Sequence, residues 1–233
     1  MVTQEALQDC FLEAGRRYGY DDVMAEFAQY RDFKVRWQRS YRWARFKVSD
    51  YLEDAPEKVV RDLAQSLFRR IVGDGDDGYT ENVRAWVTSE GFREAKQQIY
   101  LRRSRSLTRS PVGDHRNIRD AYESLIAQGL VDNDPEIYLS WSKDTDPGNV
   151  VRCSVLMKVV ALSSLLDGKD VPGCVLEYCL YHELCHIAIG FDPTSEKHER
   201  SYDELEKRYP WRAEARQWMA RHCLRIRWVS PRR

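Results

Sequence analysis

The chain has 233 residues, of which 42% are hydrophobic and 32% are charged, and its 37 basic side chains balance 37 acidic ones. This composition is typical of an ordered protein with one sizeable core, or with a core domain and a smaller partner, and it excludes an intrinsically disordered chain. The zero formal charge provides no global field that favours nucleic acid or an anionic membrane, and no apolar run approaches the roughly 18 residues of a membrane span.

The first 130 residues are predicted to form a mostly helical region with two short strands. Pro56 opens the clearest helix, because proline is favoured in the first turn and apolar side chains then recur on one side as far as Val72. The strands are expected where side chains alternate in polarity. In chain order, the predicted elements are helices at 3–14 and 21–30, strands at 33–37 and 43–48, and helices at 56–72, 80–88, 90–103 and 115–128.

The pattern changes near residue 131, where turn residues and β-branched segments replace the helical periodicity. A helix is then expected from Pro172 to just before Gly190, because these residues are favoured at the two ends of a helix. Together the elements predict an α+β fold, with a mostly helical region at 1–130 and a region of strands and helices at 131–233. The predicted elements are strands within 132–149 and at 150–156 and 158–163, and helices at 172–189, at 196–208 and from Pro210 to about Cys223.

The two regions share a short stretch of internal sequence similarity, which we call the echo. The segment 47–52 before Pro56 resembles the segment 161–166 before Pro172, since each reads as a strand end, a serine, a leucine and a helix that begins at proline. The echo is consistent with a degenerate strand–helix repeat. The helix after Pro56 contains no histidine, so only the second copy can bind metal through imidazoles.

The predicted helix at 172–189 carries the motif H-E-L-C-H at positions 182–186. Residues four apart share one face of an α-helix, so His182 and His186 can present two imidazoles to one metal ion. Glu183 is rotated to the side of that face, where its carboxylate can act as a general base on a water without being a ligand. The pattern predicts a catalytic Zn²⁺ site, in which three protein ligands leave one position open.

The third ligand is predicted to be His198, with two rivals. His198 lies beyond a helix break at 190–193 and near the start of a new helix, so the chain can turn back over the metal. Neutral imidazole is also the commonest metal ligand. Asp192 and Glu204 are the alternatives, because both follow the motif at spacings where some zinc enzymes use a carboxylate ligand.

A non-catalytic alternative uses Cys179. With His182, His186 and His198, this thiol would give a closed, four-ligand structural zinc site, because positions 179, 182 and 186 share one helix face. The six cysteines of the chain include no C-x-x-C pair, which excludes a zinc ribbon and a thioredoxin-type motif. We otherwise expect the cysteines to be reduced thiols of the core.

From Tyr138 onward the chain resembles the SprT-like and YgjP-type zinc metallopeptidases of the zincin group. The resemblance implies a zincin-like catalytic region at 131–233, in which a small sheet lies over the active-site helix. It also implies zinc ligands His182, His186 and His198, with Glu183 as the catalytic base and with a peptide or protein substrate. It does not extend to the first 130 residues. The segments that carry it are IYLSWS at 137–142, VVALSSLL at 159–166, VPGCVLEYCLYHELCH at 171–186 and HERSY at 198–202, followed by Tyr209 and Pro210.

A DNA-associated peptidase that acts on DNA-bound proteins is an alternative within this family. Two stretches are rich in basic residues, and the first is interleaved with Trp37, Tyr41 and Trp43, a combination that suits phosphate contact and base stacking. Acidic neighbours such as Asp50 and Asp54 favour an ordinary solvated surface instead. The basic residues are Arg31, Lys34, Arg36, Arg39, Arg42, Arg45 and Lys47 in the first stretch and Arg102, Arg103, Arg105, Arg109, Arg116 and Arg119 in the second.

The sequence therefore predicts an enzyme that hydrolyses peptide bonds with Zn²⁺ and that has no membrane partner. Its polar, acidic N-terminal stretch lacks the basic and apolar regions of a signal peptide, so the expected location is cytoplasmic. Nothing in the residue pattern predicts an oligomeric state.

Overall fold

The fold is described from a computed structural model, which defines residues 1–74, 78–191 and 195–226 and, within 195–200, the backbone alone. The chain separates into two compact units, Met1–Arg103 and Ser104–Arg233. Its described residues form eight α-helices and two three-stranded sheets, so the fold is α+β as predicted. The boundary predicted at 130/131 lies inside the second unit, because the helix before it packs on elements of that unit.

The first unit contains a small three-stranded sheet together with helices α1 and α2. Strand β3 lies in the middle of the sheet, parallel to β1 and antiparallel to β2. Helices α1 and α2 pack against each other, and α1 also packs on β1. The elements are α1 (Gln4–Arg17), β1 (Asp22–Ala28), β2 (Val35–Arg39), β3 (Trp43–Ser49), α2 (Glu57–Val72), α3 (Glu81–Val87) and α4 (Glu90–Arg103), with a 3₁₀ turn at Asp50–Leu52.

The helix predicted at 21–30 is wrong, because this segment forms strand β1. Its composition favours helix locally, but Val23 and Ala25 alternate with exposed neighbours and pair with β3. The free edge of β1 is covered by helix α1, where Gln8 donates to the Val23 carbonyl oxygen and accepts from the Ala25 amide, both at 2.8 Å. Gln4 likewise donates to the Ala25 carbonyl oxygen and accepts from the Phe27 amide. Tertiary hydrogen bonds thus outweigh the local preference.

The second unit contains the predicted strands and helices of the C-terminal region. Strand β6 lies in the middle of its sheet, parallel to β4 and antiparallel to β5, and all five of its residues are buried. Helix α5 packs on α6 and β4, which places it in this unit. The elements are α5 (Ile118–Ala127), β4 (Tyr138–Ser142), β5 (Val151–Ser154), β6 (Val159–Ser163), α6 (Gly173–Ile189), α7 (Ser195–Glu206) and α8 (Arg212–Arg221), with a 3₁₀ turn at Ser164–Leu166.

Helix α6 is the central element of the second unit. It is apolar on most sides because α5, α7, α8 and the sheet cover it, and its residues from Tyr178 to Cys185 are all buried. It begins after Pro172 and ends at Gly190, whose φ of 84° is one that glycine adopts without strain. In the described part of the chain, no helix has both the length and the apolar character needed to cross a membrane.

The two units share one topology. Each runs helix, three strands, 3₁₀ turn and helix, and each sheet places its third strand between a parallel and an antiparallel neighbour. Ser49 and Ser163 end the central strands, and each accepts a hydrogen bond from the amide two residues on. Pro56 and Pro172 then precede the long helices with the same extended backbone. The echo seen in the sequence therefore falls at equivalent places in both units.

Candidate metal centre

The two histidines of the motif lie one turn apart in the buried half of α6. Their ring centroids are 5.2 Å apart, as expected for positions i and i+4 of a helix. His182 is only 4% exposed, and His186 is partly buried. The helix continues for three residues beyond His186, so its regular geometry fixes the separation of the two rings.

Glu183 completes a compact group with these histidines. One nitrogen of each imidazole and one carboxylate oxygen of Glu183 all lie within 4.8 Å of one another. Among the described residues, these three side chains form a group close enough to bind one metal ion. His182 Nδ1 lies 3.2 Å from Glu183 Oε1. The arrangement can hold a metal ion, as the motif predicts.

The pKa of the Glu183 carboxyl group is low although the side chain is buried. Burial alone would raise the pKa of its carboxyl group, but the hydrogen bond and charge of His182 and the charge of His186 bring that pKa below its ordinary value. The lowered pKa leaves this carboxyl group deprotonated near neutral pH, which is the form that a general base requires. Glu183 is therefore suited to the general-base role expected from the sequence.

Helix α7 contacts the two histidines through the side chain of Tyr202. This side chain is fully buried, and its ring stacks on His186 with centroids 4.6 Å apart and an angle of 21°. The Tyr202 ring also lies 5.0 Å from that of His182. Position 198 lies four residues earlier in the same helix, so it shares the face of α7 that Tyr202 turns towards the pair. The side chain of His198 itself lies outside the described residues.

Two tyrosines of α6 hold the end of α7 in place. The Tyr178 hydroxyl donates to Glu206 Oε1 at 2.5 Å, and the Tyr181 hydroxyl donates to the Leu205 carbonyl oxygen at 2.6 Å. Arg212 also donates to Glu206, at 3.3 Å, and so connects α8 to the same carboxylate. Hydrogen bonds from two tyrosine hydroxyls therefore fix the C-terminal end of α7 on α6.

The two rival ligands that the structure describes, Glu204 and Cys179, lie in different places. Glu204 is exposed on α7 and is not part of the compact group. Cys179 is buried, and its sulfur contacts that of Met219 at 3.8 Å. Burial raises the pKa of the Cys179 thiol, which disfavours the thiolate that binds metal. Asp192 lies outside the described residues.

Cys153 on β5 is a neighbour of Glu183 that the sequence did not single out. Burial, followed by the charge of Glu183, holds the pKa of the Cys153 thiol well above its usual range, so the thiol is protonated. The thiol lies close enough to the Glu183 carboxylate to favour the charged form of the acid. No sequence signal marks this pair, because the contact depends on the packing of β5 on α6.

Four of the seven cations of the first basic stretch form ion pairs within the first unit, and one of these is Arg31 with Asp32. Three of these cations form ion pairs with acidic residues at the start of or along β1, and these pairs are exposed to solvent. Arg103 of the second stretch pairs with Asp50, with a shortest distance of 2.5 Å. The structure thus gives these cations internal partners. The β1 pairs are Arg42 with Asp21, Arg45 with Asp22 and Lys47 with Glu26.

The geometry described above supports metal binding by imidazole nitrogens with a carboxylate beside them. Searches with protein-family models, among curated proteins and among solved structures found no match to the chain. The resemblance to SprT-like peptidases therefore rests on the motif residues of the sequence.

Proposed function

We propose that the protein is a zinc-dependent peptidase with a zincin-like second unit. The observation that carries the proposal is the group formed by His182, Glu183 and His186, whose ligand atoms lie within 4.8 Å of one another in the buried centre of α6. The sheet of β4, β6 and β5 beside this helix is the arrangement expected of a zincin-like region.

The donor set suits Zn²⁺. Two imidazole nitrogens belong to the described group, and we propose the imidazole of His198 as the third donor, because position 198 precedes Tyr202 by one turn of α7. Three nitrogen ligands with an open position are typical of catalytic zinc. When bound, zinc supplies a Lewis acid that polarises a carbonyl group and lowers the pKa of water towards about 7.

Proton transfer in this reaction is assigned to Glu183. Glu183 accepts a proton from the attacking water and returns it to the nitrogen of the leaving amine. The 3.2 Å contact of His182 Nδ1 with Glu183 Oε1 and the neighbouring Cys153 thiol favour the charged form of Glu183, which this task requires. Burial of the group excludes bulk water, which strengthens these interactions.

The decisive experiment compares three variants of the full chain. Glu183→Gln should retain about one zinc per chain, measured by elemental analysis, and should lose hydrolysis of a casein substrate. His198→Ala should lose both zinc and activity, because one of three ligands is removed. Glu204→Gln, a matched change of an exposed carboxylate, should retain both. Activity in the Glu183 variant would reject this residue as the base, and full zinc content in the His198 variant would reject this residue as a ligand.

A further inference from the structure

A cavity of about 920 Å³ lies beside His182 in the second unit. Tyr178 and His182 of α6 form one wall, and α7, α8 and the chain that follows α8 form the others. Met219, Leu224 and Ile226 contribute aliphatic surface. Because His182 belongs to the metal-binding group, anything bound in this cavity lies next to the proposed reaction centre.

The walls of the cavity carry more positive than negative charge. Of its two carboxylates, that of Glu206 is already bound by Tyr178 and Arg212. Three further cations, Lys207, Arg216 and Arg225, line the same space, and they are joined by no ion pair to any residue within the described ranges. The remaining carboxylate is that of Asp203, so the cations of the wall outnumber the acids. An anionic group is the complement of such a wall.

We propose that the cavity binds an acidic side chain of the peptide substrate, next to the bond that is cleaved. This inference rests on the proposed peptidase function and assigns its substrate class. The aliphatic surface suits the methylene groups of a glutamate, and the three cations of the wall, which come from different segments, suit its carboxylate. Single-stranded nucleic acid instead favours exposed aromatic rings for base stacking, whereas the tyrosine ring of the described lining, that of Tyr178, is buried.

The test uses zinc-loaded, full-length protein and quenched fluorescent peptides that differ at one position. Glutamate, glutamine or lysine is placed in turn at each position within three residues of the cleaved bond. At one of these positions, kcat/KM for the glutamate peptide should exceed that for the glutamine peptide by roughly three- to tenfold, as a partly screened charge pair gives. The lysine peptide should be the poorest substrate. Equal rates for all three peptides at every position would overturn the proposal.

Variants of Arg216 show whether the cavity causes the preference. Arg216→Ala should reduce the ratio of glutamate to glutamine rates towards one, and Arg216→Glu should shift the preference towards the lysine peptide. Arg221→Ala is the matched control, because this exposed arginine lies on the same helix but does not line the cavity. A preference that survives unchanged in both Arg216 variants and in Arg225→Ala would overturn the assignment of the cavity.

A binding assay separates failure of this inference from failure of the proposed function. A fluorescein-labelled glutamate peptide should bind the Glu183→Gln protein more tightly than its glutamine counterpart, and Arg216→Glu should reverse this order in fluorescence anisotropy. The result is independent of hydrolysis, so absent cleavage with ordered binding would reject only the peptidase. Preferential, Arg216-dependent binding of a single-stranded oligonucleotide would overturn the peptide assignment in favour of a phosphate ligand.

Discussion

Tyr202→Ala should destabilise the second unit and, at the zinc site proposed above, should also weaken zinc binding. The ring is fully buried and contacts both His182 and His186, with centroids 5.0 and 4.6 Å away. Removing a buried aromatic ring typically lowers the free energy of unfolding by about 3–5 kcal/mol, a large part of the roughly 5–15 kcal/mol of a typical domain. Loss of a residue that orients metal ligands typically costs about 10–100-fold in metal affinity. Tyr202→Phe keeps the stacked ring, so it should retain most of the affinity.

Urea denaturation of the metal-free protein and competition with a zinc chelator measure the two effects separately. Tyr209→Ala is the matched control, because Tyr209 is equally buried but stacks on Tyr181, with centroids 5.7 Å apart, and not on a histidine. It should lose comparable stability while retaining zinc affinity. If both alanine variants weaken zinc binding equally, the stacking of Tyr202 does not determine the geometry of the metal centre.

Two further predictions concern the first unit. Gln8→Ala should lower the free energy of unfolding of this unit by about 1–3 kcal/mol in urea denaturation, because the Val23 carbonyl and the Ala25 amide at the edge of β1 lose their partner. The control Glu5→Ala, which changes an exposed residue of the same helix, should alter it little. Stability should also fall as the pH rises from about 10 to 12, because burial raises the pKa of Tyr51 to about 12 and the folded state keeps a proton that the unfolded state releases. Tyr51→Phe should reduce this pH dependence of the urea midpoint, and an unchanged slope would reject Tyr51 as its source.

Much of the secondary structure could be predicted because its signals are local. Helix α2 follows from one apolar stripe with Pro56 before it and Gly73 after it, and both ends are found as expected. Strand β1 shows the opposite case, since its free edge is covered by the amides of Gln4 and Gln8, which no local pattern reveals. The position of α5 within the second unit is likewise decided by its packing on α6 and β4.

The sequence by itself determined the pairing of His182 with His186 and the place of Glu183 beside them, because the geometry of an α-helix sets the faces of residues three or four apart. The tertiary structure alone decided what surrounds this group. It places Tyr202 of α7 on the histidine rings, Cys153 of β5 against the carboxylate and a cationic cavity beside His182. These neighbours are distant in sequence, so their positions depend on how helices and strands pack, which is a property of the whole unit.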